Sequence, residues 1–295
     1  MDIPKPGFEI APCEEMFFVG SCFADSIGQR FREEGFPVTV NPYGTMYNPA
    51  SILHTVRRTL AMSVQGGAQS PALCCEGQSC RIPDIVFLTL GTNHIYRLRE
   101  TGEIVDNCQK RPAALFQEEE LSVDQCADYL QQTINLLHRH YPKVRIVLTV
   151  SPIRYRKYGY HESQLSKATL LLAVDHLLKA ESSTPNSQRS THYFPAYEIV
   201  MDELRDYRFY ASDMLHPSGQ AVEYIWERLV GTYFSAEAKS YLDEWRPLKQ
   251  ALAHRPFNPE AAEYKALMDK TMLKVAELQE RYPKLTVPLH YELHH

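Results

Sequence analysis

The 295-residue chain is 44% hydrophobic and 23% charged, with a net charge of −5, so it can bury the core of one large domain or two modest ones. That balance gives no electrostatic footing for nucleic acid or an acidic membrane surface, and no run of about 18 apolar residues is present to span a bilayer. Seven cysteines, an odd number without regular spacing, argue for free thiols in a reducing compartment rather than a disulfide framework. The opening MDIPKPGFEI has neither the basic segment nor the apolar stretch of a secretory signal, and the expected location is cytoplasmic.

MFFVG (16–20) is a short apolar run and reads as a first strand. Phe23, Ile27 and Phe31 then recur every four residues, the stripe of a helix that Gly35 and Pro37 bring to an end. FPVTVN (36–41) predicts a second strand. The turn PYGTMYNP leads to a helix capped by Asn48 with Pro49 at its first position, burying Ile52, Leu53, Val56 and Leu60. GGAQSPALCCEGQSC (66–80) reads as a loop. Its Cys74, Cys75 and Cys80 lack paired C-x-x-C units and a nearby histidine, so a surface loop is expected there and no metal.

DIVFLTLG (84–91) and VRIVLTVSP (144–152) are continuous β-formers, as expected of strands covered on both faces. Between them Ser122 and Gln125 form a capping-box pattern for a helix reaching about His140. SQLSKATLLLAVDHLLKA (163–180) predicts a helix, THYFPAYEIV (191–200) a last strand and QAVEYIWERLVGTYF (220–234) a closing helix. The alternation gives a three-layer α/β/α domain with a mostly parallel sheet over residues 1–235. Beyond it, Asn258 and Pro259 open a helix whose Tyr264, Met268, Thr271, Val275, Leu278 and Tyr282 lie near one face. Residues 236–295 are therefore expected to be a helical extension packed on the domain or on a second copy of the chain, the latter making a homo-oligomer. The terminal HYELHH reads as a disordered tail.

Four segments fall at the C-terminal ends of predicted strands, where open parallel sheets place their sites. They are GSCFA (20–24), NPYGT (41–45), GTNH (91–94) and, before the closing helix, ASDMLHPSG (211–219). Together they hold two candidate nucleophiles, a glycine amide, an asparagine side chain and an aspartate three residues before a histidine. Attack on an ester requires such a set: an attacking atom, a base, a group that orients the base and donors for the oxyanion.

The order Gly-x-nucleophile, lone Gly, Gly-x-Asn, Asp-x-x-His resembles the SGNH or GDSL-type hydrolase superfamily, and the string GSCFA is similar to the signature of the GSCFA-domain family within it. The resemblance covers roughly residues 15–235. It implies an SGNH-hydrolase-like fold and an esterase acting on O-acyl esters, O-acetyl groups of carbohydrates above all, with no metal or organic cofactor. By position it makes His216 the base, Asp213 its orienting partner, and Gly44 and Asn93 oxyanion donors. With the glycine in register, Cys22 rather than Ser21 takes the nucleophile's place, and Phe23 replaces the usual leucine. A one-residue slip would restore Ser21.

A thiol at a helix start has a lowered pKa, and its thioester can be opened by alcohols or amines, so an O-acyltransferase using Cys22 is an alternative. A non-catalytic carbohydrate-binding or scaffold protein on the same frame is another. His94 beside Asn93, and Arg154, His161 and Lys167 after the SPIRY strand end, are candidate contacts for an anionic or sugar substrate, or solvated charges. Tyr43, Tyr47 and Tyr96 flank the oxyanion groups, where their rings would suit a sugar face or serve as packing. The expected partner is a small-molecule or carbohydrate acyl ester.

Overall fold

The computed structural model describes residues 1–65, 82–108, 111–182, 190–258 and 260–287. The loop carrying Cys74, Cys75 and Cys80, and the terminal HYELHH, lie outside the described residues. In chain order the first elements are β1 (Met16–Gly20), α1 (Cys22–Glu33), β2 (Val38–Val40), α2 (Pro49–Gln65) and β3 (Ile85–Leu90). They are followed by β4 (His94–Leu98), β5 (Ile104–Val105), β6 (Phe116–Glu120), α3 (Val123–His140) and β7 (Arg145–Val150). Next come α4 (Tyr160–Ser182), β8 (Thr191–Tyr193), the single turn α5 (Ala196–Glu198), α6 (Gly219–Tyr233), α7 (Ala236–Ala253) and α8 (Ala262–Arg281). Among the described residues no helix is long and apolar enough to cross a membrane.

Five parallel strands pair in the order β2-β1-β3-β7-β8. Every residue of β1 and β3 is buried, because helices cover both faces. Alternate residues of β1 feed the two cores. Phe18 joins Phe31 of α1, Phe87, Trp226 of α6 and Phe234 on one face. Phe17 joins Val56 of α2, Val86, Leu130 of α3 and Leu170 of α4 on the other. The Phe18 and Phe87 rings stack at 4.7 Å, and Phe31 meets Trp226 edge-on at 4.9 Å. Burying a side chain such as Phe31 contributes ~1.5–3 kcal/mol, which is what ties α1 to the sheet.

The anticipated caps form. Asn48 Oδ1 accepts the Ser51 N–H at 2.9 Å ahead of α2, and Ser122 with Gln125 makes the reciprocal capping box of α3. Gly35, at φ +78°, is the left-handed residue after α1.

Three features depart from the sequence expectation. The last strand spans only Thr191–Tyr193, because Pro195 lacks the N–H to extend the ladder; the chain turns into α5 and a π-helical segment over Ile199–Leu204. Directly after the Gly91–Asn93 turn the chain forms a second, antiparallel sheet in the order β5-β4-β6, a ribbon too short and polar to announce itself by periodicity. Finally, residues 236–295 contain α7 as well as α8, and α8 begins after Ala261 rather than at Asn258, whose Oδ1 instead accepts the Glu260 N–H.

Tyr241 Oη and Trp245 Nε1 of α7 donate to the carbonyls of Glu34 and Glu33, at 2.7 and 3.0 Å, closing the carboxyl end of α1. Met268, Val275 and Leu278 of α8 belong to the same core as Phe31.

Candidate active site

The corner after β1 is held by tight backbone bonding up to Ser21. Gly20 sits at φ +144°, and a Cβ there would lie 2.1 Å from the Thr89 carbonyl oxygen of β3, so no side chain fits. Its N–H donates to Asn41 Oδ1 at 2.9 Å, and Asn41 Nδ2 donates to Asp25 at 2.9 Å. Ser21 is fully buried: its N–H donates to the Thr89 carbonyl, and its Oγ accepts the Phe23 N–H and contacts Thr89 Oγ1, each at 3.3 Å. It is the N-cap of α1.

Cys22, the first residue of α1, is half-buried, with Sγ 3.7 Å from Tyr47 Oη. Its backbone N–H, one of the orphan donors of a helix start, has no acceptor among the described residues.

Tyr47 links this corner to the turn after β3. Its carbonyl accepts the N–H groups of both Gly91 and Thr92 at 2.8 Å, and its ring meets Tyr155 edge-on at 5.6 Å. A Cβ on Gly91 would come within 2.5 Å of Tyr155 Oη and 2.9 Å of the Tyr47 carbonyl, so this approach also needs glycine. Asn93 is buried in the same turn. Its N–H donates to Ser166 Oγ at 3.0 Å, one Nδ2 hydrogen to the Leu121 carbonyl at 2.8 Å, and its Oδ1 has no partner. The second Nδ2 hydrogen is uncommitted among the described residues.

Gly44 adopts φ +91° in an exposed turn, with its N–H donated to the Asn41 carbonyl at 2.8 Å. Lys167 lies inside the same strand-end region, only 2% exposed. Its ammonium donates to the Gly91 and Ser151 carbonyls at 2.6 and 2.7 Å, bridging the ends of β3 and β7, and burial pulls its pKa down to about 7.

The fourth segment forms a small hairpin-like loop, closed by a bridge between Tyr210 and Pro217 and by the Ala211 N–H on the His216 carbonyl at 2.7 Å. Within it Asp213 Oδ1 accepts the N–H groups of Leu215 and His216 at 2.8 and 3.0 Å, while Oδ2 lies 2.5 Å from His216 Nδ1. The two backbone donors and then the imidazole hold the Asp213 carboxyl down at about 2. Arg154, just past β7, fastens the loop to the sheet: its N–H donates to the Leu215 carbonyl at 3.1 Å and its guanidinium to the Met214 carbonyl at 3.0 Å. That guanidinium also lies over the Tyr160 ring at 4.1 Å. The His216 side chain is 44% exposed, and among the described residues its ring bonds only to Asp213, with no hydrogen bond to Cys22 or Ser21.

The remaining candidates divide into two groups. His94 is buried, stacked on Tyr158 at 3.8 Å, and its Nδ1 lies 3.3 Å from Glu118 Oε1 but off the hydrogen-bond line. Tyr96 Oη contacts Glu118 and Tyr158 at 2.9 and 3.0 Å and also accepts from Lys157, so His94 and Tyr96 belong to one aromatic and charged cluster on the ribbon. Tyr43 instead carries the Arg58 guanidinium over its ring at 3.9 Å, and His161 is exposed near the start of α4.

Sequence reasoning assigned no chemistry to the Tyr47 hydroxyl, to Asn41 or to Tyr155. Tyr47 was visible only as one of several tyrosines in strand-end loops. Its position three residues after Gly44, two past the end of the second block, is the available signal.

No curated protein matches the chain. In structure it is similar to a GDSL-like lipase from Bacteroides thetaiotaomicron, with 14% identity, coverage of 79% of this chain and 89% of that one, and a TM-score of 0.42. It is also similar to a member of the lipolytic protein G-D-S-L family from Veillonella parvula, with 12% identity, coverage of 74% and 97%, and a TM-score of 0.42. A carbohydrate esterase family 3 structure from Talaromyces cellulolyticus shares 12% identity over 80% of this chain and 98% of that one, with a TM-score of 0.39. The model of the GSCFA domain protein C-terminal domain matches residues 245–295. The GSCFA family model matches residues 15–70 and 73–229, most of the chain, and the protein belongs to the GSCFA family.

Proposed function

We propose that the protein is an acyl-ester enzyme in which Cys22 is the nucleophile and His216, oriented by Asp213, the base. One observation carries the choice of atom: Cys22 offers a half-buried sulfur and an uncommitted backbone N–H at the start of α1, whereas Ser21 spends its hydroxyl as a buried cap. With Asp213 on Nδ1, the imidazole keeps its proton there and leaves Nε2 to take the thiol proton. The thiolate attacks the acyl carbonyl, forming the C–S bond and an oxyanion.

In this reading the Cys22 N–H and the second Asn93 amide hydrogen meet that oxyanion, and the Gly44 N–H is shared toward it from Asn41. Loss of one such donor costs about 3–4 kcal/mol of transition-state stabilisation. Collapse breaks the ester C–O bond, His216 protonates the departing alkoxide, and a thioester remains on Cys22. Contacts between base and nucleophile in substrate-free sites commonly tighten only when substrate binds.

The thioester is then opened by water, giving an esterase, or by a second hydroxyl, giving an O-acyltransferase. Sulfur as the attacking atom favours the second outcome more than a serine would. O-acetyl esters of carbohydrates are the substrate class that the family resemblance supports.

The test is turnover of p-nitrophenyl acetate, with mass spectrometry of the peptide containing Cys22. Cys22→Ala abolishes turnover and the acetyl adduct, while Ser21→Ala, if folded, retains both. Turnover surviving Cys22→Ala and dying in Ser21→Ala overturns the assignment. Acetyl-CoA with an alcohol acceptor separates transfer from hydrolysis.

A further inference from the structure

We propose that Tyr47 is a further catalytic residue, its hydroxyl donating a hydrogen bond to the Cys22 sulfur whenever that sulfur carries charge. The role rests on the acyl-ester reading, but the contact behind it does not. Tyr47 Oη, 3.7 Å away, is the only hydrogen-bond partner of Sγ among the described residues.

Both ends of Tyr47 are fixed. Its carbonyl receives two N–H groups from the Gly91–Thr92 turn, and its ring stands at 88° to that of Tyr155. A donor so held needs no reorganisation when charge develops beside it. Tyr47, from the loop after β2, lies within electrostatic reach of Cys22 and of Asp25 one turn along α1, and Tyr155, from the loop after β7, within reach of Tyr47 and Cys22; His216 is the base assigned to the same sulfur. Burial first, and then Cys22 and Asp25, push the Tyr47 phenol up to about 12, so at neutral pH it keeps its proton and can only donate to a thiolate.

The consequence for the reaction follows the electron pair. When His216 takes the Sγ proton, the Tyr47 O–H bonds to the thiolate and raises its population at neutral pH, where an ordinary thiol of pKa ~8.5 is mostly protonated. As the C–S bond forms, the charge moves to the carbonyl oxygen and this hydrogen bond weakens. When water or an alcohol opens the thioester, the C–S bond breaks, the pair returns to sulfur and the Tyr47 O–H receives it again. Tyr47 thus stabilises the thiolate as attacking group and as leaving group, and the same contact speeds both halves of an acyl transfer.

Iodoacetamide alkylation of Cys22, followed against pH by mass spectrometry on the full chain, tests this. Tyr47→Phe keeps the ring and its packing and is expected to raise the midpoint by about one pH unit, slowing alkylation at pH 7 about tenfold. Tyr155→Phe removes a neighbouring hydroxyl that makes no hydrogen bond to the sulfur and should leave the midpoint in place. An unchanged midpoint in Tyr47→Phe, or an equal shift in both variants, overturns the proposal. A shift confined to Tyr47→Phe, together with slowed acetylation by p-nitrophenyl acetate, supports it in full. The same shift in a protein that forms no acetyl adduct supports the Tyr47–thiolate contact and overturns the catalytic role, locating the failure in the acyl-ester reading.

Discussion

The nucleophile corner and the histidine loop are built by opposite means. Around Gly20–Cys22 nearly every polar group is buried and paired, and the chain passes so close to β3 that position 20 has no room for a Cβ. Around Asp213–His216 the side chains are about half exposed, and order comes from short backbone bonds inside one loop, with Arg154 as the strap. The corner is specified by packing and the loop by local hydrogen bonding. A mutation in the first should therefore cost stability before it touches chemistry, and a change in the second should remain local.

The contrast is broken most severely at Gly20. Gly20→Ala places a methyl against the Thr89 carbonyl at a φ that L residues avoid, and overpacking plus backbone strain should cost about 3–5 kcal/mol. Urea denaturation followed by tryptophan fluorescence reads this directly. A loss under about 1 kcal/mol would mean that the corner yields and is not rigid.

Ser21→Ala comes next. Removing the cap hydroxyl of α1 costs about 1–2 kcal/mol, and Thr89 Oγ1 loses a neighbour as well. The stability loss should appear with Cys22 alkylation intact. Loss of alkylation in a stably folded Ser21→Ala protein would show that the two adjoining residues are not separable into cap and nucleophile.

These two residues also mark what the sequence made legible. The apolar run before Gly20 and the four-residue stripe after it set the strand, the helix and the buried edge without ambiguity, because each pattern reports a single periodicity. Which of Ser21 and Cys22 faces the solvent side of the sheet edge depends on the φ of Gly20 and on the Thr89 carbonyl, a contact 68 residues away in the chain. The same limit explains Lys167. In a run of helix-start charges it reads as a substrate contact or a solvated amine, yet it is buried, with its ammonium on the Gly91 and Ser151 carbonyls. Likewise, Asn93 stands in the expected motif, but the carbonyl that takes its amide comes from Leu121, beyond a ribbon too polar to be foreseen. Asp213 and His216 were easier, since their pairing is made within three residues.

That local pairing gives the smallest effect, and the one that isolates the loop from the corner. Asp213 carries its carboxyl at about 2 against an ordinary 3.8, because the Leu215 and His216 N–H groups and the imidazole favour the charged form. A lowered carboxylate pKa means that the folded loop binds the proton less readily than the unfolded chain. Its contribution is complete above pH 3.8 and is lost as pH falls toward about 2. The Asp213 side-chain carboxyl resonance should therefore titrate with a midpoint near 2, while the amide resonances of Gly20 and Asn41 stay where they are at pH 4. Because the group is exposed, the part due to the imidazolium should shrink in high salt, while the part due to the two backbone donors persists. A midpoint near 4 at all salt concentrations would mean that those backbone bonds do not form in solution. The histidine would then lack the partner that fixes its tautomer, however well the corner is built.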